Sequence, residues 1–417
     1  MRVLVLDGNQ NQAVAAVRSL ARAGHQVVVG ESTPWSKAGW SRHSSGSFPY
    51  PAPQSQTEGF LDRIIDVARA EPDTLVLPMT EATTLPLSAN RERLYAVGAK
   101  MVLPTHAELL RAFDKEATTN LAASLGVPVP LSTVISNFEE ATRTAQEIAY
   151  PVVLKPRSSE ELSTVGKVRS TGRPRYARNE REFHAAYEDL SRRAAAIMVQ
   201  QYVAGEGAGY FALMNHGELR AEFAHRRIRD VYPTGSGSAV RVSVPPPPQI
   251  REASLTILKA LNWHGVAMVE FRHVEGEAPV FLEVNGRFWH SLALARYSGV
   301  DFPALLARMA EQSDIEPVNG YLVGVRCRWF LGDLRHLVEV WRGAPMGYPG
   351  TYPGRFSTLA AVLTPVPGTF HDLFTWDDPL PELGDWINFS RRIFTQRSAE
   401  RSADPATRGS DGQIRLE

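Results

Sequence analysis

Cysteine is nearly missing from this sequence. Cys327 is the single thiol in 417 residues; that excludes an intramolecular disulfide and any Cys-rich zinc or iron–sulfur centre, and the residue reads as a small core side chain. Long apolar runs are missing as well, and none approaches the roughly 20 residues a helix needs to cross a bilayer. The opening Met1-Arg2-Val3-Leu4-Val5-Leu6-Asp7-Gly8 has the pattern of a strand and not of a signal peptide, so a reducing cytoplasm is the expected location. Neither sign of charge is in surplus, since Lys plus Arg and Asp plus Glu each number 45. That balance provides no global field for nucleic acid or an anionic membrane.

Three signatures are also lacking. No Gly-x-x-x-x-Gly-Lys-Ser/Thr occurs, so any nucleotide site is not a P-loop. Asp7-Gly8-Asn9-Gln10-Asn11-Gln12 stands where a dinucleotide fingerprint would lie but lacks the Gly-x-Gly-x-x-Gly spacing, which excludes a nicotinamide reading. No serine sits in a nucleophile-elbow pattern.

The remainder describes a soluble globular protein, 43% apolar and 22% charged, long enough for two or three domains. Strands at 1–7 and 26–30 flank an Ala-rich amphipathic helix at about 10–23. A Pro/Ser-rich stretch, 32–57, reads as a long surface connection. A helix near 58–70, a strand at 74–77, a helix after Glu81 and a short strand at 100–103 complete a parallel α/β unit. The turn at 8–12 and Thr80-Glu81 both follow strand ends, where open α/β sheets bind ligands.

A second unit starts near Thr105, with two helices over 106–125, a strand after Pro130 and a helix near 137–148. The strand Pro151–Pro156, a polar loop over 157–179, a helix at 180–193 and the strand Ala196–Gln200 follow. From about 207 the pattern turns antiparallel, and Pro245–Pro248 forms a stiff connector to a helix at 249–262. Helices are expected near 290–298 and 302–312, and a strand at Tyr321–Trp329. Residues 397–417 have almost no apolar content and are expected to be disordered.

Between these helices lies the most informative segment. Val266–Arg272 and Val280–Arg287 flank Gly276-Glu277, a signal for a tight hairpin. A turn there sets Glu270 directly across from Glu283, with Asn285 on the same face. Opposed like charges destabilise a sheet unless something neutralises them. A hard divalent cation does so, because it prefers carboxylate and amide oxygens.

Five motifs in order resemble the ATP-grasp fold of carboxylate–amine (or thiol) ligases, over about residues 1–312. They are Asp114-Lys115, Val153-Leu154-Lys155-Pro156, Gln200-Gln201-Tyr202-Val203 with Gly205-Glu206-Gly207, Glu270, and Glu283-Val284-Asn285-Gly286-Arg287. Within that superfamily the chain looks similar to predicted ligases resembling the carbamoyl-phosphate synthase large subunit and D-aspartate ligase. Gly324–Trp329 followed by Gly332-Asp333-Leu334 shares that character.

The resemblance implies an α/β protein with a parallel pre-ATP-grasp domain at 1–104 and a two-lobed α+β ATP-grasp domain at 105–315. The lid lobe would span about 120–200 and the antiparallel-sheet lobe about 201–315, with a C-terminal region at 316–396 and a tail at 397–417. It implies ATP, contacted by Lys115 and Lys155 at its phosphates and adenine end, by the hinge Gln200, Gln201, Tyr202 and Val203, and by Glu206 at the ribose. It implies Mg²⁺, or Mn²⁺ in its place, on Glu270, Glu283 and Asn285. Arg287 would stabilise an acyl-phosphate or position a carboxylate, for which the guanidinium fork is suited.

The basic stretch His225–Asp230, the loop Gly235-Ser236-Gly237-Ser238 and Arg241 add Arg227 and Arg241 as candidate phosphate or substrate contacts. One departure stands out: the loop after Lys155, Arg157-Ser158-Ser159-Glu160-Glu161-Leu162-Ser163, is poor in glycine. His290 reads as a packed or capping residue, and Phe288 and Trp289 as core.

The implied activity is an ATP-dependent ligase joining a small carboxylate to an amine. A bicarbonate-using carboxylase and a non-catalytic ATP-binding regulator are the alternatives. Partners would be small molecules, not nucleic acid or membrane, and a homodimer is left open.

Overall fold

The computed structural model describes residues 1–157, 160–162, 168–170, 174–274 and 276–403. The N-terminal unit is built from β1 (Arg2–Val5), α1 (Asn11–Arg22), β2 (Gln26–Glu31), β3 (Gly46–Pro49), α2 (Thr57–Arg69), β4 (Leu75–Leu77), α3 (Glu81–Ala89) and α4 (Arg91–Tyr95). Its four strands are all parallel, in the order β3-β2-β1-β4. The strand expected at 100–103 is reduced to one bridge, Leu75 to Lys100, while β3 forms inside the stretch read as surface connection. The period-two apolar signal there is a single residue, Phe48, too little to mark a strand among Ser and Pro.

Next come α5 (His106–Phe113), α6 (Lys115–Ser124), β5 (Ser132–Ile135), α7 (Phe138–Glu147), β6 (Val152–Pro156), β7 (Glu160–Leu162), β8 (Val168–Ser170), β9 (Arg175–Ala177), α8 (Glu180–Ser191) and β10 (Ile197–Gln201). Strands β5-β10-β6-β9 form an antiparallel sheet with α7 and α8 packed on it through Ala141, Ala145, Phe183 and Tyr187. The loop expected over 157–179 thus contains strands, and its tips at 158–159, 163–167 and 171–173 lie outside the described residues.

The third sheet is the largest. It uses β11 (Glu206–Asn215), β12 (Glu218–Tyr232), β13 (Ser236–Ser243), then, after α9 (Pro248–Ala260), β14 (Gly265–His273) and β15 (Val280–Asn285). After α10 (Leu292–Tyr297) and α11 (Phe302–Gln312) it gains β16 (Arg326–Arg328) and, past α12 (Phe330–Arg342) and α13 (Arg355–Leu363), β17 (Thr369–His371). The order is β15-β14-β11-β12-β13-β16-β17. Only three residues of the expected strand Tyr321–Trp329 enter it, because β16 pairs with β13 over Val240–Val242 alone.

One face of this sheet packs on α1, α10 and α11 through Phe211, Leu213 and Phe223; the other packs on α5, α6 and α9 through Tyr210, Ala212 and Val269. The last helix, α14, runs from Leu380 to Ala403. It therefore extends past residue 397, where disorder was expected, since Arg, Ala, Glu and Ser suffice to propagate a helix already nucleated on packed residues. The rest of the expected tail, 404–417, lies outside the described residues. No helix among the described residues is long and apolar enough to cross a membrane.

Buried ion pairs join the C-terminal region to the N-terminal sheet. Arg18 of α1 reaches Asp378 at 2.8 Å and the Leu373 carbonyl at 2.6 Å, and Lys37 reaches Asp385 of α14 at 2.8 Å.

Candidate active site

Two lysines arrive through one carboxylate. Asp114 caps α6, accepting from the Glu116 and Ala117 amides at 3.0 and 3.3 Å. The same side chain binds Arg157, just beyond β6, through Nε at 3.0 Å and Nη2 at 2.6 Å. Burial opposes its ionisation, but the Arg157 hydrogen bonds and the helix amides outweigh burial and hold its pKa below the usual range. The first residue of α6, Lys115, and the β6 residue Lys155 are thereby drawn to one cavity.

That cavity, about 270 Å³, lies between the β6–β10 sheet and the β14–β15 edge of the large sheet. Lys115, Lys155, Gln200, Gln201, Tyr202, Val203, Glu270 and Glu283 all line it. The hairpin pairs Glu270 with Glu283 and Met268 with Asn285, the expected register. Its connection is longer than a two-residue turn, with a one-residue shift between Glu270 and Phe271.

Charge is unevenly matched here. Burial lowers the Lys155 pKa from 10.5 to about 8, against the pull of Glu283. Burial also opposes ionisation of Glu283, yet Lys115, Lys155 and an Asn285 hydrogen bond leave its pKa below the ordinary value. Glu270 is ion-paired with Arg227 at 3.3 Å, and Arg227 also approaches Asp230 at 3.7 Å. Gly207 makes room for that guanidinium: a Cβ there would stand 2.9 Å from Arg227 Nη1.

Asn285 donates to Glu283 at 3.3 Å and accepts from Arg287 Nη2 at 3.1 Å. Its amide must turn over to present oxygen to a cation beside Glu283. Arg287 faces Glu81, at the start of α3; burial raises the Glu81 pKa, while Arg287 and then Lys115 draw it down. The Thr80-Glu81 turn therefore contributes a carboxylate from the N-terminal unit. Glu206 stands exposed at the start of β11, across from His273 at the rim.

Arg241 is placed elsewhere. It pairs with Arg227 in register, so it shares the face of Glu270 and Glu283, but three strands from the first and four from the second. There it is fully buried, bonded to Asp372 and to the Ser238 carbonyl at 3.1 Å, and it does not line the cavity. The sequence predicts its face correctly but cannot show that Asp372, 131 residues on, covers it. His290 is half-buried with its ring 4.5 Å from the Trp329 ring, and Phe288 and Trp289 are core, as expected.

Other contributors carry no sequence signal. Arg272 lines the cavity and donates to the Gly205 carbonyl at 3.0 Å. At the end formed by residues 200–203, Tyr176 and Tyr202 line it, and Tyr348 from the C-terminal region packs edge-on against both, centroids 5.0 and 6.2 Å away. Gly347 lies so close to the Tyr176 carbonyl that no side chain fits. Tyrosines spaced at 176, 202 and 348 cannot be associated from sequence, since only the fold brings them together.

The donor set suits a hard cation in one respect. Among the described residues no three His, Cys, Asp or Glu side chains cluster as a protein-only metal cage. Glu270, Glu283 and the Asn285 amide are two carboxylates and one amide on neighbouring strands. Magnesium is characteristically held in this way, by few carboxylates with water and substrate phosphates completing its shell.

Comparison with characterised proteins agrees with this architecture. No protein-family profile matches the chain. It is 27% identical over 237 residues to the N-terminal section of the carbamoyl phosphate synthase large chain of Methanopyrus kandleri, covering 54% of this chain and 40% of that one. It is 24% identical over 219 residues to D-alanine–D-alanine ligase B of Pseudomonas putida, covering 48% and 64%. The chain spans between about a quarter and two fifths of the carbamoyl phosphate synthases it matches. The crystal structure of a biotin carboxylase–nucleotide complex from Campylobacter jejuni superposes with a TM-score of 0.61 at 18% identity, over 78% of this chain and 74% of that one. The chain has the ATP-grasp fold, and it is similar in sequence to carbamoyl phosphate synthase large chains and to a D-alanine–D-alanine ligase.

Proposed function

We propose that this protein is an ATP- and Mg²⁺-dependent ligase that joins a small carboxylate to an amine. The observation that carries the reading is the convergence of Lys115, Lys155, the 200–203 hinge, Glu270 and Glu283 on one cavity. In this reading Gln201–Val203 read the adenine edge through their backbone, and Glu206 at the rim accepts from the ribose. Lys115 and Lys155 hold the phosphates. Glu283, Glu270 and the turned Asn285 would hold Mg²⁺, which when bound neutralises phosphate charge. Arg287, beside Glu81, orients the carboxylate for attack on the γ-phosphoryl group and stabilises the acyl-phosphate formed as ADP departs. An amine then adds to the acyl carbon and phosphate leaves, with a proton lost from nitrogen. The protein supplies position and electrostatics and no covalent nucleophile.

One feature favours a second reading, a nucleotide-binding regulator. Glu270 already has Arg227 as counter-ion and the Asn285 oxygen already faces Arg287. The test is Mg²⁺-dependent ADP release across a matrix of small carboxylates and amines, with Glu283→Ala as control. Release requiring one acid and one amine, and absent in the variant, supports the ligase. Release requiring bicarbonate selects the carboxylase. Mg·ATP binding with no ADP from any pairing selects the regulator, and failure to bind Mg·ATP removes the site assignment altogether.

A further inference from the structure

The large sheet carries a second, smaller cavity on the face away from the nucleotide cleft. In β12 a bulge places two residues, Ile228 and Arg229, opposite Val240 of β13, and turns both to the back while Arg227 and Asp230 stay in front. In β16, Cys327 faces Arg241 in front, so Arg326 and Arg328 project backward, level with Thr369 and His371 of β17. Residues 361–366, at the end of α13, roof a cavity of about 130 Å³ over them.

The charges there do not balance. Arg229 grips the fully buried Asp333 through Nε at 2.6 Å and Nη2 at 2.8 Å. Arg328 uses the same carboxylate at 2.7 Å, donates to the Val362 carbonyl at 2.9 Å and lies over the Phe330 ring. Arg326, half-buried, has no ion pair or hydrogen bond among the described residues, and no Asp or Glu lines the cavity. Three guanidinium groups therefore stand against one carboxylate, which Arg229 and Arg328 contact and Arg326 does not. Burial, and next the Arg328 charge, keep the His371 pKa below its ordinary value. The α13 carbonyl end offsets only part of the surplus, since a helix terminus carries roughly half a charge.

We propose that this cavity is a binding site for a small multivalent anion, a phosphate or a polycarboxylate, with Arg326 as its principal contact. The planar fork of an unpaired arginine matches the paired oxygens of either group. The volume admits such a headgroup and excludes a whole nucleotide.

The inference does not depend on the ligase reading. Inorganic phosphate, titrated calorimetrically into the whole chain, tests it with Lys155→Met to silence the nucleotide cleft. Phosphate binding that persists in Lys155→Met and weakens at least tenfold on adding Arg326→Gln is the expected result. Arg326→Lys, which keeps the charge but loses the fork, is expected to fall between. The proposal is overturned if Lys155→Met abolishes all phosphate binding, or if both Arg326 variants bind as tightly as their parent. Citrate titrated in parallel assigns the class: tighter binding than phosphate marks a polycarboxylate site, weaker binding a phosphate site.

Discussion

The protein buries cations in two places and treats them differently. At the seam where the C-terminal region meets the rest of the chain each one touches its own carboxylate: Arg18 of α1 with Asp378, Lys37 with Asp385, Arg241 of β13 with Asp372. In the cavity of the candidate site Lys155 is also buried, yet among the described residues it has no ion pair. Desolvating a charge without a contacting counter-ion is costly, which the lowered Lys155 pKa records. A seam of matched pairs holds two parts of a chain together. A cleft with an unmatched cation is prepared for an anion that arrives from outside.

This contrast can be broken by mutation. The largest effect is expected from Glu283→Ala, which should lower ADP release by about 10²–10³-fold, the scale of losing one electrostatic contact in a reaction centre. It should leave the unfolding midpoint nearly unchanged, because its partners gain solvent. Arg18→Met should do the opposite: a buried pair loses one member, and stability falls by about 3–5 kcal/mol in denaturant titration. Equal losses of stability in the two variants would erase the distinction.

A pH titration sharpens it. Unfolded chains keep the lysine proton up to about pH 10.4, whereas folded Lys155 loses it near 8. Between those values the unfolded state binds more protons, so the stability of the nucleotide-free protein rises with pH across that window. Polyphosphate affinity falls over the same range as the charge disappears. Lys155→Met should flatten both trends, measured as urea midpoints and nucleotide affinity at about pH 7 and about pH 9.5. The smallest effect belongs to Tyr348→Ala. Loss of its edge-on contacts, each worth about 0.5–1.5 kcal/mol, should weaken nucleotide binding by roughly 2–10-fold with little change in Mg²⁺ dependence.

The parts legible in sequence are those written locally. Alternation of Val, Glu and Asn about a Gly-containing turn was enough to oppose Glu270 and Glu283. An Asp-Lys pair at a helix start and a lysine ending an apolar strand were equally visible. What was not legible depends on partners far along the chain. Arg227 and Arg241 are indistinguishable as residues in a basic stretch, and their fates part because Glu270 meets one and Asp372 the other. Strand β3, with one buried apolar residue, takes its place from the neighbouring β2 more than from its own sequence.

The contact of Gly347 with the Tyr176 carbonyl has a consequence for turnover. Strand β9, which carries Tyr176, belongs to the sheet that roofs the cleft, so swinging that sheet outward parts Tyr348 from Tyr176 and Tyr202 unless residues 345–350 travel with it. On the proposed reading, nucleotide exchange is geared to the C-terminal region. Release of spent nucleotide is then expected to be limited by the opening of this contact, and to slow with solvent viscosity.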